Sequence, residues 1–231
     1  MNQKLIREIG RSQRLDILTA LKRQGGMSVK ELAAHFRMSY MGIKDHCIAL
    51  EKEGYLDTWR RPKAVGRPEM LYRLTDRARE LFPGANNPLT AEVLEAVQST
   101  YGPAAPTKIL FGIFGQRTEA YRRKIRFPSV EERAECLAKL RDAEGYMSEV
   151  MRDESAQGTT EPTNGAWPLR IVEHHSPIED LLRRYPILAR LEREMFERVL
   201  DCPVRREEEC APGLYRCTFY IRHFVGAPDR E

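Results

Sequence analysis

The chain has 231 residues, 42% of them hydrophobic, and five cysteines, an odd count that argues against a disulfide framework. It has no run of about eighteen apolar residues, and Lys4, Arg7, Glu8 and Arg11 interrupt the first apolar positions, so neither a spanning helix nor a secretory signal is expected and a cytosolic protein is. The net charge of +4 is uneven: residues 1–82 hold 17 Lys and Arg against 10 Asp and Glu, the remainder 21 against 24, as expected of a nucleic-acid-binding half joined to something else.

Leu5, Ile6 and Ile9 form an apolar patch able to open a helix, and Ser12 stands where the cap of the next one belongs. Leu15, Leu18 and Leu21, with Ile17 in support, give a helical stripe that Gly25-Gly26 ends. Ser28 and Glu31 spell a capping box ahead of a helix whose Leu32, Ala33 and Phe36 face inward. A third helix is predicted from about Ser39 to Lys52, with Ile43, Cys47 and Leu50 spaced for a buried face. Met41, Lys44 and Asp45 then point away from the core, with Tyr40 on the flank. Trp59, Arg60, Arg61 and Lys63 lead into Gly66-Arg67-Pro68, and Met70 to Leu74 return from it, which makes a hairpin with a positive tip.

Three helices followed by a basic hairpin read as a winged helix-turn-helix over residues 1–83. In such a unit the start of the second helix of the motif meets base edges, so Ser39, Tyr40, Met41, Lys44 and Asp45 are the candidates for readout. Lys44 suits a guanine edge or a phosphate, and Met41 a thymine methyl group. Arg14, Arg60, Arg61, Lys63 and Arg67 are the candidate phosphate contacts.

Thr75 is expected to cap a short helix through Phe82, stopped by Pro83 and Gly84, with Gly84 to Pro88 as a linker. Residues 84–127 are read as a helical linker and dimerisation segment. Val93, Leu94 and Val97, then Ile109, Leu110, Ile113 and Phe114, give stripes wider than one small domain needs. The run Arg117, Arg122, Arg123, Lys124 and Arg126 reads as a solvated face. Residues 128–231 are read as an α+β sensor domain. A helix from Ser129 to Asp142 has Leu137 and Leu140 inward, alternation over 146–152 allows a strand, 153–166 is a polar loop, and 169–172 is a second strand. Two helices, Ile178 to Arg184 and Pro186 to Leu200, precede an antiparallel pair, 204–208 and 214–222, around Pro212-Gly213. The fold class is therefore α+β: a winged helix-turn-helix, a helical segment, and a small antiparallel sheet with helices on one face.

Gly66-Arg67-Pro68, followed by Leu71-Tyr72-Arg73-Leu74-Thr75, resembles the G-R-P-x-x-x-Y-x-L-T wing signature of bacterial regulators related to the ArsR type. Their SufR members repress the operon for iron-sulfur cluster assembly. The resemblance covers roughly residues 12–83, and the order of elements in the C-terminal half is similar to the sensor domain of the same regulators. It implies that Arg67 enters or flanks a minor groove, where Arg suits a narrow, electronegative slot. It also implies an iron-sulfur cluster held by sensor-domain cysteines. Cys217 stands where a family ligand is expected and Cys202 near another. The His-Asn-Cys-Pro-like site, however, reads His174-His175-Ser176-Pro177, and the cysteine expected after Pro186 is replaced by Ala189 or its neighbours. His174 or His175 with Cys202, Cys210 and Cys217 can supply a mixed set for a cluster or for zinc. The alternative is that the cysteines are small core residues and the histidines end a strand.

No enzyme constellation stands out: Glu207, Glu208 and Glu209 read as a solvated run, and no P-loop, nucleophile elbow or HExxH pattern occurs. Leu169, Ile171, Phe196, Phe219 and Ile221 could line a small-ligand pocket, their default being core. The expected function is a homodimeric regulator of transcription, a repressor, that binds inverted-repeat duplex DNA and senses a metal, a cluster or a small ligand. The alternative is a winged-helix module for protein contact, with a C-terminal scaffold or enzymatic domain. The positive first third favours DNA.

Overall fold

The computed structural model describes residues 13–62, 66, 68–82, 88–152, 169–211 and 213–222. The expectations for Leu5, Ile6, Ile9 and Ser12, for Lys63 and Arg67, for 83–87, for the loop 153–166 and for Pro212 lie outside these residues. The chain is mixed α+β and divides into two compact units, residues 1–85 with 209–215, and residues 86–208 with 216–231. Among the described residues no helix is long and apolar enough to cross a membrane.

In the first unit, α1 (Gln13–Gln24) buries Ile17, Leu18 and Leu21. Leu15, expected in that stripe, is 40% exposed. At 3.6 residues per turn it lies about 110° from the centre of the buried three, so helix phase overrides its hydrophobicity. The helix stops at Gly25, whose φ of +74° suits glycine and whose N–H closes on Leu21 O at 2.9 Å. The capping box forms at the head of α2 (Val29–Phe36): Ser28 Oγ accepts from Glu31 N at 3.2 Å, and Glu31 Oε2 accepts from Ser28 N at 2.7 Å. Ser39 caps α3 (Tyr40–Lys52) by accepting from Gly42 N at 3.1 Å, and Ile43, Cys47 and Leu50 are fully buried beneath it.

The hairpin pairs β1 (Leu56–Arg61) with β2 (Glu69–Leu74) in antiparallel register, Leu56 opposite Leu74 and Arg61 opposite Glu69. Met27 and Tyr72 exchange backbone hydrogen bonds of 3.0 and 2.8 Å, which fastens the returning strand to the chain just ahead of α2. Thr75 does not cap by its side chain; its hydroxyl donates to Gly54 O at 2.7 Å, and Asp76–Leu81 winds as a 3-10 helix. Gly213, also in this unit, has φ +69°, and a Cβ there would fall 1.9 Å from Leu74 O, so only glycine fits.

In the second unit, α4 (Pro88–Tyr101) packs on α5 (Ala105–Lys124), which buries Leu110, Phe114, Thr118 and Tyr121. Ser129 caps α6 (Val130–Arg141), which runs into a π turn at Asp142–Tyr146 broken by Gly145. Tyr146, expected to open the strand, therefore sits in that turn, and β3 is Ser148–Arg152. With β4 (Leu169–Glu173), β5 (Val204–Ala211) and β6 (Leu214–Ile221) it forms a sheet in the order β3-β4-β6-β5. Between β4 and β5 lie α7 (Glu179–Arg184) and α8 (Ile187–Leu200). Phe196 of α8 stacks on Phe219 of β6 at 3.7 Å between ring centroids, while Leu169, Ile171 and Ile221 are buried. The apolar set suggested as a pocket lining is thus packed core, because these side chains already occupy the space between sheet and helix.

Beside that core Arg141 is fully buried. Its Nε and Nη2 donate to Glu173 at 2.6 and 2.8 Å, and Nη2 also to Glu192 at 2.9 Å. Its guanidinium lies 3.2 Å over the Tyr146 ring centroid. A charge so placed is tolerable only because opposite charges and a ring face surround it.

Candidate nucleic-acid interface

The first four N–H groups of a helix have no partner within it, so a helix that starts at the surface needs a cap. Ser39 supplies one for α3 and sets the direction of its first turn. Tyr40 and Met41 are 52% and 60% exposed there, Asp45 is exposed and Lys44 is half-buried. Burial pushes the Cys47 thiol up to about 12, with Glu51 adding to it, so Cys47 behaves as a neutral core residue under this surface. His46 Nε2 meets Gln13 Oε1 at 3.2 Å and ties the same helix to α1. Ser39, Tyr40, Met41 and Asp45 thus share one exposed, firmly backed end of a helix, where Lys44 is half-buried. Its polar surface includes Asp45, which repels phosphate but can accept from a cytosine amino group.

The candidate phosphate contacts divide. Arg61 Nη2 donates to Glu31 Oε1 and to Glu69 Oε2, both at 2.9 Å, and Arg14 Nη1 to Glu53 Oε1 at 3.0 Å. These two arginines are internal ties rather than unengaged cations. Arg61 joins β1 to the head of α2, a partner 30 positions away in sequence. The Ser28 N–H bond, then Arg61, hold the Glu31 carboxyl below the usual carboxylate range. Arg60 is exposed. Lys63 and Arg67 are outside the described residues, and Gly66 between them has a φ of +97°. Arg73 is engaged by Asp57, in a two-pronged bond of 2.7 and 3.0 Å across the hairpin. Trp59 and Met70 remain as exposed apolar surface on the wing.

The candidate metal ligands are His174, His175, Cys202, Cys210 and Cys217, and Cys210 belongs with the first unit. His174 is buried with Nε2 2.6 Å from Glu149 Oε1, and His175 is buried beside it in sequence. Cys217 is buried in β6, where burial pushes its thiol well up. Cys202 is half-buried after α8, its thiol raised by burial to about 11, and Cys210 is exposed in β5. Among the described residues no three or more His, Cys, Asp or Glu are placed to hold a metal ion, so the four converging donors of a cluster or a tetrahedral zinc are not presented there.

Sequence reasoning missed the Arg61–Glu31 tie and the Arg141 network. The capping box already marked Glu31, but nothing in the spacing showed that its second oxygen would meet the wing. Residues 11–57, from α1 into β1, match the family model of winged helix-turn-helix DNA-binding domains. The match ends before the G-R-P signature and lends nothing to the resemblance to ArsR or SufR regulators. No curated protein and no solved structure matches the chain.

Proposed function

We propose that this chain, a DNA-binding regulator by virtue of its N-terminal winged helix-turn-helix domain, acts as a homodimeric repressor on an inverted repeat. The observation that carries the reading is the capped, exposed start of α3, mounted on Ile43, Cys47 and Leu50 and flanked by an antiparallel wing. Such an end enters a major groove, and two of them in a symmetric pair address half-sites about one helical turn apart. Pairing is supported by the apolar surface on α4 and α5: Leu89 is 64%, Val93 52%, Ile109 41% and Ile113 45% exposed. A patch of that kind marks an interface, and a second copy offers the same patch in return. Repression follows where the occupied site overlaps a promoter. The second unit carries the response to a signal, which acts by favouring one dimer geometry over another.

A gel shift with random duplex at low salt tests the DNA reading. The full chain is expected to be retained, and less so as salt rises. Arg67→Ala should weaken binding and flatten its salt dependence. No retention at any salt would favour the protein-contact module. Absorption and metal content of anaerobically purified protein sort the signal: iron with sulfide indicates a cluster, whereas a colourless, metal-free preparation indicates a small ligand or redox at thiols.

A further inference from the structure

The end of α5 carries Arg122, Arg123 and Lys124 in its last turn, and Arg126 two residues on; all four are exposed. Cations at a helix C-terminus complement its dipole, which accounts for one or two of them. Three observations exceed that account. The first is the missing counter-charge. Arg122 has only Glu119, at 3.6 Å, and Arg123, Lys124 and Arg126 make no hydrogen bond or ion pair with a described residue. Elsewhere in this unit Arg141, Arg152, Arg184, Arg193 and Arg206 each pair with a carboxylate. The second is the setting: the chain beyond residue 82 holds more acidic than basic residues, so a cluster of four cations stands against the local trend.

The third is rigidity. Tyr121 and Ile125 are buried on either side of the last turn, and Ile125 N closes on Tyr121 O at 2.8 Å. Just beyond, Arg133 Nη1 donates to Phe127 O at 3.0 Å and to Pro128 O at 2.8 Å, while its Nη2 reaches Leu200 O at 2.8 Å. The backbone under the cluster is therefore ordered before any partner arrives, and little backbone entropy remains to be lost on binding. Uncompensated, closely spaced cations repel one another within a Debye length of about 8 Å at physiological salt, a cost that a polyanion removes.

The geometry points to a second phosphate-backbone contact: Arg123, Lys124 and Arg126 bind the sugar-phosphate strand of duplex DNA, so that the second unit grips DNA as well as the first. The inference rests on the DNA reading above. Guanidinium groups match phosphate oxygens two at a time, and DNA already held by the first unit raises the local phosphate concentration around the second. These residues carry affinity without base preference.

The test is fluorescence anisotropy of the full chain on a 40-mer duplex over a range of salt, comparing wild type with Arg123→Ala/Lys124→Ala/Arg126→Ala. A charge-matched control is Lys108→Ala/Lys139→Ala/Arg198→Ala. Every phosphate left without its cation takes about 0.9 off the slope of log affinity against log salt, so the triple variant should flatten the slope by roughly 2 to 3 per chain. Its melting temperature should stay that of wild type, and Arg123→Lys/Arg126→Lys should restore most of the slope. An unchanged slope in the triple variant, or an equal change in the control, overturns this inference and leaves the winged-helix reading standing. Wild type that fails to bind any duplex overturns both.

Discussion

Glu31 serves two structures at once: one oxygen caps α2 through Ser28 N, the other holds Arg61 of β1. Glutamine can replace the cap but not the charge, so Glu31→Gln isolates the tie. Because the folded carboxyl is held below its ordinary value of 4.5, the stability it contributes is present above pH 4.5 and is lost as pH falls through the depressed folded value. The difference in melting temperature between wild type and Glu31→Gln should therefore be widest near neutrality and vanish in acid. A gap independent of pH would remove the carboxylate from the account. Asp45 is the other residue whose charge decides an outcome. Asp45→Asn should raise affinity for random duplex and relax sequence preference, measured as the ratio of specific to non-specific binding, because it removes a repulsion and weakens a cytosine acceptor.

At the scale of elements, the caps and periods were legible in the chain. Ser28 caps as its S-x-x-E spacing predicts, and Ser39 and Ser129 cap the helices that begin beside them, since a cap depends on neighbours within three residues. Thr75 also stands at the head of a helix but turns its hydroxyl to Gly54 O, a partner 21 residues distant, and the following turn tightens to a 3-10 helix. The helix ending at Arg141 was legible; the burial of Arg141 was not, because its partners come from β4 and α8. Arg141→Met leaves Glu173 and Glu192 buried without that cation and should cost about 3 to 5 kcal/mol in urea unfolding. Arg141→Met/Glu173→Gln should cost less than the sum of its single changes, as expected of groups in contact. A single variant within about 0.5 kcal/mol of wild type would show that this network does not hold the second unit together.

For the whole molecule, the exposed faces of α4 and α5 make the proposed pairing measurable. Ile109→Glu/Ile113→Glu places charges on two exposed positions of α5, so the fold should survive while sedimentation equilibrium moves from dimer to monomer. Operator affinity should fall with it, because each half-site is then bound alone. A wild-type chain that sediments as a monomer at micromolar concentration would end the dimer reading.

The order of elements, the capping box of α2, the buried face of α3 and the positive first third follow from residues a few positions apart, and the sequence alone determined them. Helix phase, turn chemistry and net charge are local or additive properties. Which cations are engaged and which stand open was decided only by the tertiary structure. Arg61 and Arg14 are tied to Glu31 and Glu53, whereas Arg123, Lys124 and Arg126, read as an ordinary solvated face, have no such partner among the described residues. Ion pairing depends on distance through space, falling off as charges separate, and folding sets that distance between residues tens of positions apart.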